Sequence, residues 1–139
     1  MRLDSMHLNA LTSKAFKKKE QALFESPTAL DELEEKALPD HAARVGAYAQ
    51  ERLSALHQKH EAIGNIRGEG MLFGAELVTD RSTKEPATAL TTKVFNTMRQ
   101  RGFLMSSLGR AKNTLKIRPP MPFAQEHAEM LFDTLDEVL

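Results

Sequence analysis

The stretch IGNIRGEGMLFGAELV, residues 63–78, decides how the rest of the chain is read. Upstream of Ile63 the apolar residues recur at helical spacing, and from Ile63 that period is lost. Gly64, Gly68, Gly70 and Gly74 punctuate the stretch. Met71 to Val78 is the strand candidate. Met71, Phe73, Ala75 and Leu77 would share one face, and Leu72, Gly74, Glu76 and Val78 the other. Apolar residues on both faces predict a strand covered on both sides. Gly74 offers no side chain, so another group can approach closely there. Glu76 is a carboxylate in an otherwise apolar run and is expected to be paired, with Arg67 as a candidate, or partly solvated, rather than catalytic.

Upstream, Leu38-Pro39-Asp40 separates two helical patterns. The later one runs to about His60 with the stripe Ala42, Val45, Ala49, Leu53 and Leu56, which predicts a helix packed on one side. The earlier one starts at Ser26-Pro27, a serine cap followed by a first-turn proline. It carries Leu30, Leu33 and Ala37 on one face, with Asp31, Glu32 and Glu34 suited to the positive end of the helix dipole. In Met1 to Glu25, Leu8, Leu11, Ala15 and Phe16 lie at roughly helical spacing. Lys17 to Lys19 read as a solvated face rather than an anion-binding arm.

Downstream, Asp80 to Pro86 is a polar loop, and Thr88 to Arg101 a helix with Leu90, Val94, Phe95 and Met98 inward. Gly102 follows its cationic last turn, the expected stop. Phe103 to Ser107 and Thr114 to Arg118 are strands joined by a turn, so they should pair antiparallel. Pro119-Pro120 ends the second. The last helix, from about Ala124, has the stripe Ala124, Ala128, Leu131, Phe132, Leu135 and Val138. The expectation is an α+β fold: a small three-stranded, largely antiparallel sheet packed against helices and preceded by a helical segment. Residues 1–37 form that segment, and residues 38–139 form the α+β domain.

The 139 residues, 41% apolar and 27% charged, suffice for a domain with a core. Lys plus Arg equals Asp plus Glu at 19 each, so charge points to no nucleic-acid partner and no membrane surface. With no cysteine, thiol chemistry and cysteine metal sites are excluded. No apolar run is long enough to span a bilayer and no signal-peptide core opens the chain, so the cytoplasm is the expected location. No nucleophile-elbow, zinc-protease, P-loop or dinucleotide motif occurs, and no catalytic or metal residue is expected. His57 and His60 share a helix face, but without an evident third ligand they read as a solvated helix end. Lys116 and Arg118 alternate with Leu115 and Ile117, so both cations would point to one face, about 6.6 Å apart at the backbone. That spacing suits the oxygens of a carboxylate or phosphate, or two separate anions. It equally suits a charged face left to water, which discourages edge pairing and is the simpler reading on spacing alone.

Taken together, IGNIRGEGMLFGAELVTDRSTKEPA and NTLKIRPPMPF resemble the C-terminal small domain of class III aminotransferases, fold-type I enzymes that use pyridoxal phosphate. The resemblance rests on Arg67, Gly68, Gly70, Gly74, Glu76, Leu77, Lys84, Glu85 and Pro86, then on the basic strand before Pro119-Pro120. LPDHAARVGAYAQERL, residues 38–53, resembles the family's helix leading into that domain. The likeness covers roughly Leu38 to Leu139. It implies a domain that closes over substrate held mainly by a large domain. In many members an arginine three residues before the first proline grips the substrate carboxylate. Here that position is Lys116, and Arg118 is an additional cation. Both are therefore the expected substrate-binding residues. KIRPPMPF is similar to a branch that includes phospholyases acting on phosphorylated amines. The family's cofactor-binding lysine and its pyridine-binding aspartate belong to the large domain, and nothing in Met1 to Leu38 resembles it. The resemblance thus implies a fragment that alone neither binds pyridoxal phosphate covalently nor transaminates. Its expected partners are a small-molecule amine or amino acid in the complete enzyme, and a large domain or a second copy against its covered surface. The alternative is a non-catalytic interaction or anion-binding module.

Overall fold

The computed structural model describes residues 37–139 together with Asp31, Glu34 and Glu35. The chain divides into two units, Met1–Ala37 and Leu38–Leu139. In the first, Asp31, Glu34 and Glu35 are helical and exposed. The remaining expectations for residues 1–36, including the Ser26-Pro27 start and the Lys17–Lys19 run, lie outside the described residues.

The second unit runs α1 (Leu38–Lys59), β1 (Ile63–Glu69), β2 (Leu72–Asp80), β3 (Glu85–Pro86), α2 (Thr88–Gln100), β4 (Ser106–Leu108), β5 (Thr114–Ile117) and α3 (Gln125–Val138). The α+β class is as the sequence implies, but the sheet has five strands rather than three. Its order is β1-β2-β5-β4, all antiparallel, with β3 on a further segment of β2. β1 escaped the sequence reading because IGNIRGE carries two glycines and few strand-favouring residues. It forms because Gly70-Met71 makes a two-residue hairpin turn, with Glu69 opposite Leu72. Gly70 takes φ +56° at the first turn position, where two-residue hairpins need a residue tolerant of positive φ. The strand predicted from Met71 therefore starts at Leu72, and the one predicted from Phe103 starts at Ser106.

All three helices pack on one face of the sheet. The α1 stripe read from sequence is buried throughout. Leu53, Ile63, Leu77, Leu115, Phe132 and Leu135 meet at the centre of the core. Gly46 lets α1 cross the hairpin: a Cβ there would stand 2.3 Å from the Gly70 carbonyl oxygen. Burying this apolar area is the main favourable contribution to the fold.

Polar groups fasten the helices along their outer seam. Arg52 of α1 meets Asp133 of α3 at 2.5 Å, and its guanidinium donates to the Tyr48 hydroxyl at 3.1 Å. The bond to Asp133, and then that to Tyr48, raises the Arg52 pKa further above its usual value. Lys59 and His60 both meet Asp136, at 2.6 and 2.5 Å. The Lys59 ammonium first, and His60 second, hold the Asp136 carboxyl below the usual carboxylate range. Arg81 closes the C-terminal end of α1. Its guanidinium donates to the carbonyls of His57 and of His60 (2.9 Å), Glu61 (3.2 Å) and Ile63 (3.0 Å). Helix ends leave such carbonyls without intrahelical donors, and a cation there also opposes the helix dipole.

Candidate functional site

Because helices cover one face of the sheet, chemistry must be sought on the other. The pairing register sorts its residues into rows. One row holds Arg67, Gly74, Lys116 and Ser106; the next holds Asn65, Glu76, Thr114 and Leu108. Residues directly opposite on paired strands share a face. The alternating partners Phe73, Ala75, Leu77, Leu115 and Ile117 are buried under the helices. The expectation of cover on both faces of β2 holds for Val78, which is buried, and fails for Leu72, which is 49% exposed. Gly74 and Glu76 are partly covered.

Arg67 lies 3.4 Å from Glu76, the pair expected from sequence, with the guanidinium side chain 70% exposed. Asn113 supports the same stretch: its Nδ2 donates to the Leu77 carbonyl at 2.9 Å, and it lies 3.5 Å from Glu76 Oε1. A shallow trough of about 500 Å³ opens over Gly74 on this face, edged by Arg67, Glu69, Leu72, Leu108 and Thr114.

Lys116 stands in the middle of β5, half-buried, opposite Gly74 on one side and Ser106 on the other. Arg118 is exposed and lies one residue beyond the strand, which ends at Ile117. The alternation that would align it with Lys116 therefore stops before reaching it. It lines a separate cavity of about 530 Å³ at the end of the sheet with Glu69, Met71, Leu72, Pro120 and Met121. Among the described residues neither cation pairs with a carboxylate. The two expected residues therefore share no cavity: Arg118 lines the one at the end of the sheet, and Lys116 lines neither that cavity nor the trough over Gly74.

His60 is engaged by Asp136, and no cluster of three metal-ligating side chains occurs among the described residues. Covalent attachment of pyridoxal phosphate needs a lysine, with a carboxylate for the pyridine nitrogen, in an enclosed site. Of the described lysines, Lys59, Lys84, Lys93 and Lys112 are exposed, and Lys116 has no carboxylate partner among the described residues. The described residues therefore do not fit the covalent anchor. Sequence reasoning passed over Arg67 as a site residue because only the register of β1, itself missed, places it level with Lys116.

A family model described as aminotransferase class-III matches residues 22–139. An alanine–glyoxylate aminotransferase 2 homolog of Arabidopsis thaliana, named as mitochondrial, is 40% identical over 107 residues, 77% of this chain and 22% of its own length. An ethanolamine-phosphate phospho-lyase homolog of Caenorhabditis elegans is 37% identical over 103 residues, 73% of this chain and 22% of its own. A solved Arthrobacter phospholyase in complex with phosphoethanolamine superposes with a TM-score of 0.76 at 34% identity, covering 79% of this chain and 26% of that one. The chain spans about a quarter of the length of these relatives. No helix among the described residues is long and apolar enough to cross a membrane.

Proposed function

The chain belongs to the class III aminotransferases, and on that premise we propose that its open sheet face recognises the anionic end of an amine substrate and closes over it during amino-group transfer. The observation that carries this reading is Lys116: a half-buried lysine within the sheet, on the face opposite the three helices, with no carboxylate partner among the described residues. A cation held there without a counter-ion is free to take one from a ligand. Arg118, at the end of the same sheet, is the second anion-facing group. Chemistry on the amino group belongs to pyridoxal phosphate, which acts as an electron sink when bound. Because the described residues do not fit its covalent anchor, the proposed contribution of this chain is recognition and closure, acting in the cytoplasm.

A phosphorylated amine is the favoured substrate class. Lys116 replaces the arginine that grips a carboxylate in many relatives, and a lysine binds phosphate as a point charge where an arginine fork matches a planar carboxylate. The likeness to an ethanolamine-phosphate phospho-lyase homolog and to a phospholyase solved with phosphoethanolamine supports it. Calorimetry on the 139-residue chain tests this. Phosphoethanolamine is expected to bind, ethanolamine is not, and Lys116→Ala abolishes the difference. Equal binding of the two amines would refute anion recognition. A stoichiometric lysine adduct, trapped by borohydride from the chain and pyridoxal phosphate, would refute the assignment of the anchor elsewhere.

A second reading has its own observation. Leu72 and Leu108 on the open face, with Leu104 and Met121 among the other exposed large apolar residues, are unusual for a surface left to water. They favour a face covered by a large domain or by a second copy. Light scattering across concentration tests it: a mass independent of concentration at the monomer value excludes self-association.

A further inference from the structure

Gly74 has no explanation inside the fold. The chain has seven glycines. A Cβ at Gly46, Gly64 or Gly68 would come within 3.0 Å of neighbouring atoms, so packing requires those three. Gly70, Gly102 and Gly109 have positive φ, so the backbone requires those. Gly74 meets neither condition. A Cβ there would find Thr114 Cγ2 at 3.4 Å and the Leu115 carbonyl at 3.9 Å, ordinary contacts, in a normal strand conformation. A glycine inside a strand weakens it and leaves nothing to pack, and a common reason to keep one is the close approach of a ligand.

What stands on either side of that gap is informative. The register places Arg67 and Lys116 directly opposite Gly74 on the two neighbouring strands. Strand spacing puts their backbones roughly 10 Å apart. A tetrahedral anion seated on the glycine could take a charge-assisted bond of about 2.8 Å from each. Ser106, next in the row beyond Lys116, adds a hydroxyl. Glu76 takes one contact from the Arg67 guanidinium at 3.4 Å, leaving the other donors available.

We propose that Arg67, Gly74 and Lys116 form a phosphate clamp across the open face of the sheet, with Arg67 and Gly74 determining specificity. The clamp deepens the substrate reading of Lys116 and rests on it. Two cations suit the charge of about −1.5 to −2 that a phosphate monoester carries at neutral pH. They suit a single carboxylate less well. Arg67 and Gly74 line the trough on this face, with Glu69 at its rim.

Calorimetric titration of the 139-residue chain with inorganic phosphate, and with acetate as the carboxylate control, tests the clamp. Phosphate binds more tightly than acetate, and Arg67→Ala and Lys116→Ala each weaken it by about tenfold or more. Gly74→Ala keeps the thermal midpoint of the parent chain, because the Cβ has room, and loses phosphate binding to the same degree. If Arg67→Ala and Gly74→Ala bind phosphate like the parent while Lys116→Ala does not, the clamp is overturned and Lys116 recognition stands. If Gly74→Ala unfolds, the fold itself needs the glycine and the clamp is overturned. If the parent chain does not bind phosphate, the clamp and the phosphorylated-amine reading fall together.

Discussion

On the helix side of the sheet Phe73, Ala75, Leu77, Leu115 and Ile117 are buried, whereas on the other side Leu72 is half exposed and Gly74, Glu76, Thr114 and Lys116 are only partly covered. The strands are the same and alternate residues differ. A β-strand sends successive side chains to opposite faces, so one sequence can build a core with every second residue and a recognition surface with the rest. Substitutions on the two sides should therefore have separable consequences: stability on the helix side, ligand binding on the open side.

The strongest way to break that separation is on the buried side. Phe132 is fully buried beneath the sheet. Phe132→Ala should destabilise by about 3–5 kcal/mol, read as a fall in the midpoint of chemical unfolding. A loss under 1 kcal/mol, on the order of a surface change, would mean that the helix layer is not the core. Next comes Gly46→Ala. Its Cβ would collide with the Gly70 carbonyl, and backbone must shift to admit it, at about 1–3 kcal/mol.

Smaller, and dependent on pH, is the seam between α1 and α3. The Asp136 carboxyl titrates lower in the folded protein than in the unfolded chain, through Lys59 and then His60. Its contribution is therefore present above the unfolded value of about 3.9 and is lost as pH falls through the lower folded value. Asp136→Asn should be less stable than the parent at pH 7 and should converge with it in acid unfolding below about pH 4. A gap that persists unchanged to pH 2 would contradict the ion-pair account. Smallest of all, Leu72→Ser on the open face should change stability by no more than about 0.5 kcal/mol. A large loss there, seen by thermal melting, would show that the face is not open.

The helices were legible because their stripes are long and regular. Ala42, Val45, Ala49, Leu53 and Leu56, and later Ala128, Leu131, Phe132 and Leu135, recur at a spacing that a strand cannot reproduce. The sheet was half legible. β5 alternates cleanly and ends at Ile117, with Arg118 between it and the two prolines. β1 does not alternate, since its glycines and charges carry no period, and only pairing with β2 makes it a strand. A glycine followed by Met71 between two runs was the available hairpin signal. The site followed the same division. Lys116 could be chosen from its own strand and from the family resemblance. Arg67 could not, because the distance between residues 67 and 116 is set by cross-strand register. Arg118 illustrates the converse: alternation extended one residue too far, and the chain leaves the sheet before reaching it.

The most direct test of the open face as the recognition surface is a two-dimensional amide NMR titration of the 139-residue chain with phosphoethanolamine. The account predicts shift changes concentrated at Arg67, Gly74, Lys116 and their row neighbours, with the amides of α1 and α3 silent. Changes confined to the helices, or none at saturating ligand, would contradict it.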